Sequence, residues 1–373
     1  MKKYKLLYFV SEDEYFLSHK IFQAKDALKN KFDVMIICNF TKHENKIRSE
    51  GFRTQNINFN RKSINPFNNL IYLLRLLKII YNFKPDLIQC FALKPILITS
   101  IATFFNKHIK VISCVVGVGF LIINKNFFSN IIRGCYFFLL KTFSMKNITY
   151  VFQNLDDLKL FEEKGVIKNK NVKIIKGSGV DTNFYKKGHQ KKIYDLIFHS
   201  RILKDKGIFE IINALKKLQK KKIILRTLIL GNPDPKNFSS ISLKKLNEWN
   251  DNNIIIWKPR VLNVLPYLQK ARIAILPSYR EGLPRSLIEA ASCELPIIST
   301  NVPGCKEICI DKFNGYLVKP KDSTSLAEAI EKLIFNQRLI DKFGKNGRNH
   351  VVKNFENKLV GKKFREIYKS LLE

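Results

Sequence analysis

Along this chain, short runs of Val, Ile, Leu, Phe and Tyr alternate with longer segments whose apolar residues recur at helical spacing. The first kind reads as strands and the second as amphipathic helices, and their alternation predicts parallel sheets wrapped by helices. In the first half, strands are expected at 5–10, 34–39, 87–91, 110–116 and 149–152; in the second, at 195–199, 223–230, 254–257, 273–276, 296–299 and 315–318. The clearest helix is expected at 67–83, where Leu70, Leu73, Leu74, Leu77 and Ile80 keep the spacing of one helical face. Between the halves, Lys176-Gly177-Ser178-Gly179-Val180-Asp181 is rich in turn formers and 186–192 is polar and basic, so a domain boundary is placed there.

A length of 373 residues suits two domains of roughly 100–200 residues each. The expected class is α/β, with two Rossmann-like parallel-sheet domains facing a central cleft. Open parallel sheets bind ligands outside the carboxyl ends of their strands. The strand-to-helix loops are therefore the place to look for chemistry.

Composition narrows the class. With 46% hydrophobic and 26% charged residues the chain is globular, which excludes a disordered, collagen-like or coiled-coil protein. Lys and Arg number 66 against 31 Asp and Glu, a net charge of +35. That balance implies a negatively charged partner: nucleic acid, an anionic bilayer surface or a phosphorylated small molecule. A compositional bias toward Lys, Asn, Ile and Phe accounts equally well for many of the surface lysines. Seven Cys without a C-x-x-C pair indicate neither a zinc site nor a disulfide framework, and a reducing cytosol fits them best. Residues 1–10 lack a signal-peptide core. The longest uncharged apolar stretch, 111–124, falls short of the roughly 18 residues a membrane span needs.

Two segments carry chemistry. Pro277-Ser278-Tyr279-Arg280-Glu281-Gly282-Leu283-Pro284-Arg285-Ser286-Leu287-Ile288-Glu289-Ala290 follows a buried strand and runs into a helix. Gly282 permits a tight turn or close backbone approach, Pro284 suits a first helical turn, and the free amides of the helix start form an anion site. Glu281 in the loop and Glu289 inside the helix would then address different parts of one elongated ligand such as a sugar nucleotide. In His199-Ser200-Arg201-Ile202-Leu203-Lys204-Asp205-Lys206-Gly207, Arg201 and Lys206 are placed to grip a diphosphate, Arg through its planar fork and Lys as a point charge. An exposed loop Glu, a helix-face Glu and solvated loop cations are the plain alternatives.

Taken together, these segments resemble the donor-binding half of the retaining glycosyltransferases of family 4, which have the GT-B fold. The resemblance runs over nearly the whole chain and is best from 276 to 318, including Asn301-Val302-Pro303-Gly304-Cys305-Lys306-Glu307 and Asn314-Gly315-Tyr316-Leu317-Val318. It implies an acceptor domain over 1–178, with a C-terminal helix at 356–373 packing back on it, and a nucleotide-sugar domain over 179–355. It implies that Arg201, Lys206, Glu281, Gly282, Leu283, Pro284, Leu287 and Glu289 bind the donor, with the catalytic set drawn from Glu281, Arg201, Lys206 and His19. Further matches resemble a subgroup that builds bacterial surface polysaccharides on a lipid carrier: Ser11-Glu12-Asp13 with Ser18-His19, Ala92-Leu93-Lys94-Pro95, Gly117-Val118-Gly119-Phe120 and Gly231-Asn232-Pro233-Asp234-Pro235. From these, Glu12, Asp13, Lys94, Gly117 and Gly119 are candidates for lining the cleft.

The chain departs from that family in two places. Ser11 to Glu14 stand where many relatives have a Gly-Gly pair, and Glu294 stands where relatives have Gly, so a positive φ there would strain it. His199 is expected to be structural. Arg280 and Arg285 are candidates for selecting the hexose. A D-x-D pair after a strand is missing, so no metal and no cofactor are expected; Asp156-Asp157 is expected to cap a helix.

The resemblance implies a retaining, cytoplasmic enzyme, peripheral on the inner membrane and a monomer or weak dimer, that moves a hexose or N-acetylhexosamine from a UDP-sugar to a polyprenyl-diphosphate-linked acceptor. The amphipathic segment 127–143 is a candidate for touching the anionic membrane surface, with a core helix as its alternative. A nucleic-acid binder is the rival class, but no such signature appears and the cations are dispersed. A sugar-nucleotide epimerase or a phosphorylase would keep the fold and change the reaction.

Overall fold

In a computed structural model describing residues 3–60, 65–118, 127–167, 171–235 and 237–373, the chain divides into two units, Met1–Ser178 with Asn357–Glu373, and Gly179–Glu356.

The amino-terminal unit is built on seven parallel strands: β1 (Lys5–Glu12), β2 (Asp33–Asn39), β3 (Arg53–Asn56), β4 (Leu87–Phe91), β5 (Lys110–Val115), β6 (Ile148–Phe152) and β7 (Val172–Ile174). Their order is β3-β2-β1-β4-β5-β6-β7. Successive side chains of a strand point to opposite faces. Thus Leu7 and Phe9 of β1 enter one core and Leu6, Tyr8 and Val10 the other. Helices cover both faces, which is why the run is apolar without a break. β3 and β7 lie outside the five strands expected here. Both are sheet edges with a single neighbour, and β3 (Arg-Thr-Gln-Asn) carries no apolar residue to betray it.

One face of this sheet is covered by α1 (Ile21–Lys29), α2 (Glu44–Ser49) and the carboxyl-terminal helix (Asn357–Leu372). The last returns Val360, Phe364, Ile367 and Tyr368 to the core, and Tyr368 Oη lies 2.8 Å from Tyr8 Oη. The other face is covered by α3 (Pro66–Phe83), α4 (Leu93–Ala102), α5 (Phe127–Phe143) and α6 (Leu155–Glu163). Asn65 caps α3 by accepting from Phe67 N at 2.9 Å, with Pro66 in the first turn. Tyr72, Leu76, Ile79, Ile80 and Phe83 pack inward, whereas Leu70, Leu74 and Leu77 of the stripe read from the sequence are exposed. The helix has two apolar faces, and spacing alone cannot say which one meets the sheet. α6 is capped by Asn154, which accepts from Asp157 N at 2.8 Å and donates to Asp157 Oδ2 at 3.1 Å; the expected Asp156-Asp157 cap is corrected to Asn154, with the Asp pair in the first turn.

The second unit has six parallel strands: β8 (Tyr194–His199), β9 (Thr227–Leu230), β10 (Ile256–Lys258), β11 (Ala271–Leu276), β12 (Ile297–Thr300) and β13 (Gly315–Val318). They lie in the order β10-β9-β8-β11-β12-β13. The helices are α7 (Ile208–Lys220), α8 (Leu243–Asp251), α9 (Leu265–Gln269), α10 (Arg285–Ser292), α11 (Cys305–Ile308), α12 (Ser323–Ile334) and α13 (Gln337–Phe355). Glu294, just past α10, has φ of 59°, so this chain places a side chain where backbone geometry favours glycine. In each sheet the chain order reverses once, between β1 and β4 and between β8 and β11. At such a reversal the loops diverge to opposite faces and leave a crevice at the strand ends.

Candidate active site

Within the second unit, the crevice between β8 and β11 is flanked by the loops at 200–207 and 277–284. Gly207 draws them together. Its φ is +77°, and a Cβ there would lie 2.2 Å from Pro277 O; Tyr279 N also donates to Asp205 O at 2.9 Å. This approach brings the Lys206 ammonium, in the one-turn 3₁₀ helix Lys204–Lys206, onto the Glu281 carboxylate as an ion pair. Ser278 Oγ donates to the same Glu281 oxygen at 2.8 Å, and Thr300 Oγ1 anchors the carbonyl of Ser278. From the loop after β12, Gly304 (φ +78°) closes on the other side: a Cβ there would meet Gly282 O at 2.4 Å and Glu281 O at 2.8 Å. The close backbone approach expected at Gly282 is thus made possible by Gly304.

Directly after this loop comes α10. Pro284 stands at its N-cap rather than inside the first turn, and no side chain caps it. The first-turn amides and the helix dipole therefore favour an anion there. Glu289, one turn in, is buried and accepts from Arg285 Nε at 2.7 Å and from His199 Nε2 at 3.2 Å. Burial alone would raise its pKa. The His199 and Arg285 contacts outweigh burial and hold it at about 2, so the group is an anion at all physiological pH. Leu287 is part of the core and Leu283 packs against it, which seats the loop and the helix.

Arg201 follows a different course. Half exposed, it reaches Asp234 Oδ2 at 3.5 Å in the loop after β9, and Ile202 N donates to Asn232 O at 3.0 Å beside it. The structure therefore gathers Lys206 with Glu281 and Arg201 with Asp234. Three supporting groups were not foreseen in these roles: Ser278, His199 as a partner of Glu289, and Arg285 as its clamp. The i,i+4 spacing of Arg285 and Glu289 was the available signal for the last.

The other candidates stand, in sequence, at or after the ends of β1, β4 and β5 of the first unit. Glu12 ends β1. Asp13, expected to line the cleft, is instead fully buried and accepts from the backbone N–H groups of Thr41, Lys42 and His43 at 2.9, 3.0 and 2.9 Å and from Thr41 Oγ1 at 3.0 Å. Burial opposes its ionisation, but these donors prevail and lower its pKa; both oxygens serve the loop after β2. The next residues, Phe16–Lys20, form a π-helical turn, a geometry frequent at functional sites. His19 Nδ1 lies 2.7 Å from Ser18 Oγ and its ring stacks on Tyr15 at 4.7 Å. Lys20, which the sequence did not single out, is buried with Nζ 4.4 Å from the Phe91 ring centroid at the end of β4. Beyond β4, Ala92 holds φ 75° and ψ 160°, a strained setting of the kind found at functional loops. Lys94 donates to Asn60 O at 2.9 Å and sits over the rings of Phe59 and Tyr72 at 5.0 and 4.8 Å; burial lowers its pKa to about 8. Gly117 has φ of 134°, and Gly119 and Phe120 lie outside the described residues.

Comparison with known proteins agrees with this layout. The Glycosyl transferase 4-like model matches residues 5–154 and the Glycosyl transferases group 1 model residues 179–350. The chain is 26% identical over 365 residues, 93% of its length and 94% of the relative's, to an N,N'-diacetylbacillosaminyl-diphospho-undecaprenol alpha-1,3-N-acetylgalactosaminyltransferase of Campylobacter jejuni. It is 28% identical over 197 residues to the capsular polysaccharide biosynthesis glycosyltransferase CapM of Staphylococcus aureus, a match spanning 52% of this chain and about half, 51%, of that relative. Among solved structures, a glycosyltransferase of Rickettsia africae superposes over the whole of both chains with a TM-score of 0.80 at 20% identity. Anabaena HepE, solved with UDP and glucose, covers 98% of this chain and is itself covered completely, with a TM-score of 0.78 at 15% identity. The fold is GT-B, and the chain belongs to the glycosyltransferases that join a 4-like amino-terminal domain to a group 1 carboxyl-terminal domain.

Proposed function

We propose that this glycosyltransferase moves a hexose or N-acetylhexosamine, with retention, from a UDP-sugar to a polyprenyl-diphosphate-linked acceptor during synthesis of a bacterial surface polysaccharide. In this reading it works as a peripheral enzyme on the cytoplasmic face of the inner membrane. The observation that carries it is the grouping of Lys206–Glu281 and the His199–Glu289–Arg285 cluster around the uncapped start of α10. The relative from Campylobacter, whose name specifies an undecaprenyl-diphosphate acceptor and which aligns over nearly the full length, supports the acceptor class.

Departure of the nucleoside diphosphate leaves negative charge on its phosphate and positive charge on the sugar. Lys206, Arg201 and the α10 amides stabilise the phosphate charge, and being fixed in advance they need no reorganisation during the reaction. An ammonium has three donors, so Lys206 can hold Glu281 and a phosphate oxygen together. Glu281 accepts from hydroxyls of the transferred sugar, and Glu289, permanently ionised, accepts from the ribose diol. The acceptor attacks from the face the diphosphate leaves, and a departing phosphate oxygen takes its proton, so the scheme invokes neither a protein base nor a metal.

Transfer assays with UDP-, GDP- and dTDP-sugars on a polyprenyl-diphosphate-linked acceptor, with the product's anomeric configuration read by NMR, test this directly. A UDP-sugar as preferred donor, a retained anomer and unchanged rate in chelator are the expected results. An inverted anomer, or turnover of the sugar nucleotide to an epimer without acceptor, would overturn the proposal.

A further inference from the structure

One surface of the amino-terminal unit has no part in that chemistry. Phe67, Leu70, Ile71, Leu74, Leu77 and Tyr81 of α3 stand 39–78% exposed. Their steps of three and four residues align them in one outward stripe along the helix. Single exposed apolar residues need no explanation, but a continuous row marks a surface that something covers. α4 packs between α3 and α5 in the same layer. The outer side of that layer adds Phe105, exposed to 94%, and Phe127, Ile131 and Phe138 of α5.

Charge identifies the occupant. Between Glu50 and Asp156 the sequence contains a single acidic residue, Asp86, and Asp86 accepts from Lys5 N at 2.8 Å. Arg75 and Lys78 are exposed on α3, and Lys84 ends it. A groove of about 380 Å³ beside α5 is lined by Arg133, Lys141 and Lys164 together with Phe137 and Phe138, so cations stand beside apolar wall. A phosphate headgroup above an acyl chain matches that combination. A second copy of this chain would set cations against cations on the same row, whereas an anionic bilayer meets both the apolar stripe and the charge. No described helix is long and apolar enough to cross a membrane, so the contact is one of lying on the surface.

We propose that the outer stripe of α3, with the exposed side of α5 and its cationic groove, is the surface by which this protein lies on an anionic phospholipid bilayer. The proposal rests on the peripheral-membrane reading above and names the face responsible.

Flotation of the full chain with vesicles of phosphatidylglycerol and phosphatidylethanolamine in equal parts, against phosphatidylcholine alone, is the test. Wild type should float with the anionic vesicles and at least tenfold less with the neutral ones. Leu70→Glu with Leu74→Glu should cut anionic binding at least tenfold while circular dichroism and thermal unfolding stay unchanged, since both side chains are already more than half exposed. Leu74→Trp should bind like wild type and shift its emission to the blue on vesicles. Equal binding by the double Glu variant would discard this face while leaving peripheral attachment standing. Absence of wild-type binding would discard both. A wild-type dimer in sedimentation velocity that the double variant dissolves would assign the stripe to a second copy instead. Stripe-dependent vesicle binding without sugar transfer to a lipid-linked acceptor would uphold this inference and sink the proposed function.

Discussion

At the scale of single residues, Glu289 gives the sharpest pH signature. Its carboxyl titrates near the ordinary 4.5 in the unfolded chain and at about 2 in the native state. The native state therefore binds that proton less readily, and the stabilisation is whole above pH 4.5 and lost as pH falls toward 2. The loss is on the order of 3 kcal/mol. Urea unfolding of wild type and Glu289→Gln between pH 6 and 3 should show that fall in the former and a flatter profile in the latter. Lys206 and Arg201 should separate in the same kind of measurement. Lys206→Ala strands a largely buried Glu281 carboxylate, so it should lose both stability and transfer. Arg201→Ala removes a half-exposed cation and should leave the unfolding midpoint in place while raising KM for the donor about tenfold, the scale of one charge-assisted hydrogen bond. Residue identity pointed to these groups from the sequence. Their pairing did not show there, because Lys206 and Glu281 lie 75 positions apart and meet only through the Gly207 turn.

At the scale of elements, the site depends on how closely loops can approach. Gly304→Ala would place a methyl 2.4 Å from Gly282 O at a positive φ. It should displace the 281–282 backbone, cost about 1–3 kcal/mol and lower kcat; a thermal melt beside a transfer assay checks both. Glu294 shows the opposite solution, a positive φ of 59° borne by a side chain. Strand positions were legible because both faces of each central strand are buried and the apolar runs are continuous. Of the four edge strands, β10 and β13 were legible from their apolar residues, whereas β3, which has none, and β7, only three residues long, were not. α3 was legible as a helix and illegible in orientation, for each of its two apolar stripes fits a helical period.

At the scale of the whole molecule, each unit has its own hydrophobic clusters, and both tryptophans, Trp249 and Trp257, lie in the second. Phe364→Ala in the carboxyl-terminal helix opens a cavity in the first unit's core and should cost it about 3–5 kcal/mol. The circular dichroism transition should then move to lower urea ahead of the tryptophan fluorescence transition. Superimposed transitions would mean that the units unfold together. Net charge of +35 acts at this scale as well. Raising salt from about 0.1 to 1 M shortens the screening length from about 10 to 3 Å, so vesicle binding should weaken, yet persist in part through the apolar stripe.

From the sequence alone came the alternation of strands and helices, the two parallel sheets, the boundary near Gly179 and the charged residues of the loops after β8 and β11, because each is written in local periodicity or in a short motif. Tertiary structure alone decided that Glu281 rests on Lys206, that His199 and Arg285 keep Glu289 ionised, that Asp13 serves a loop, and that α3 turns one apolar stripe outward. Those outcomes depend on which distant segments are brought within a few ångströms of each other, and a one-dimensional pattern does not contain that information.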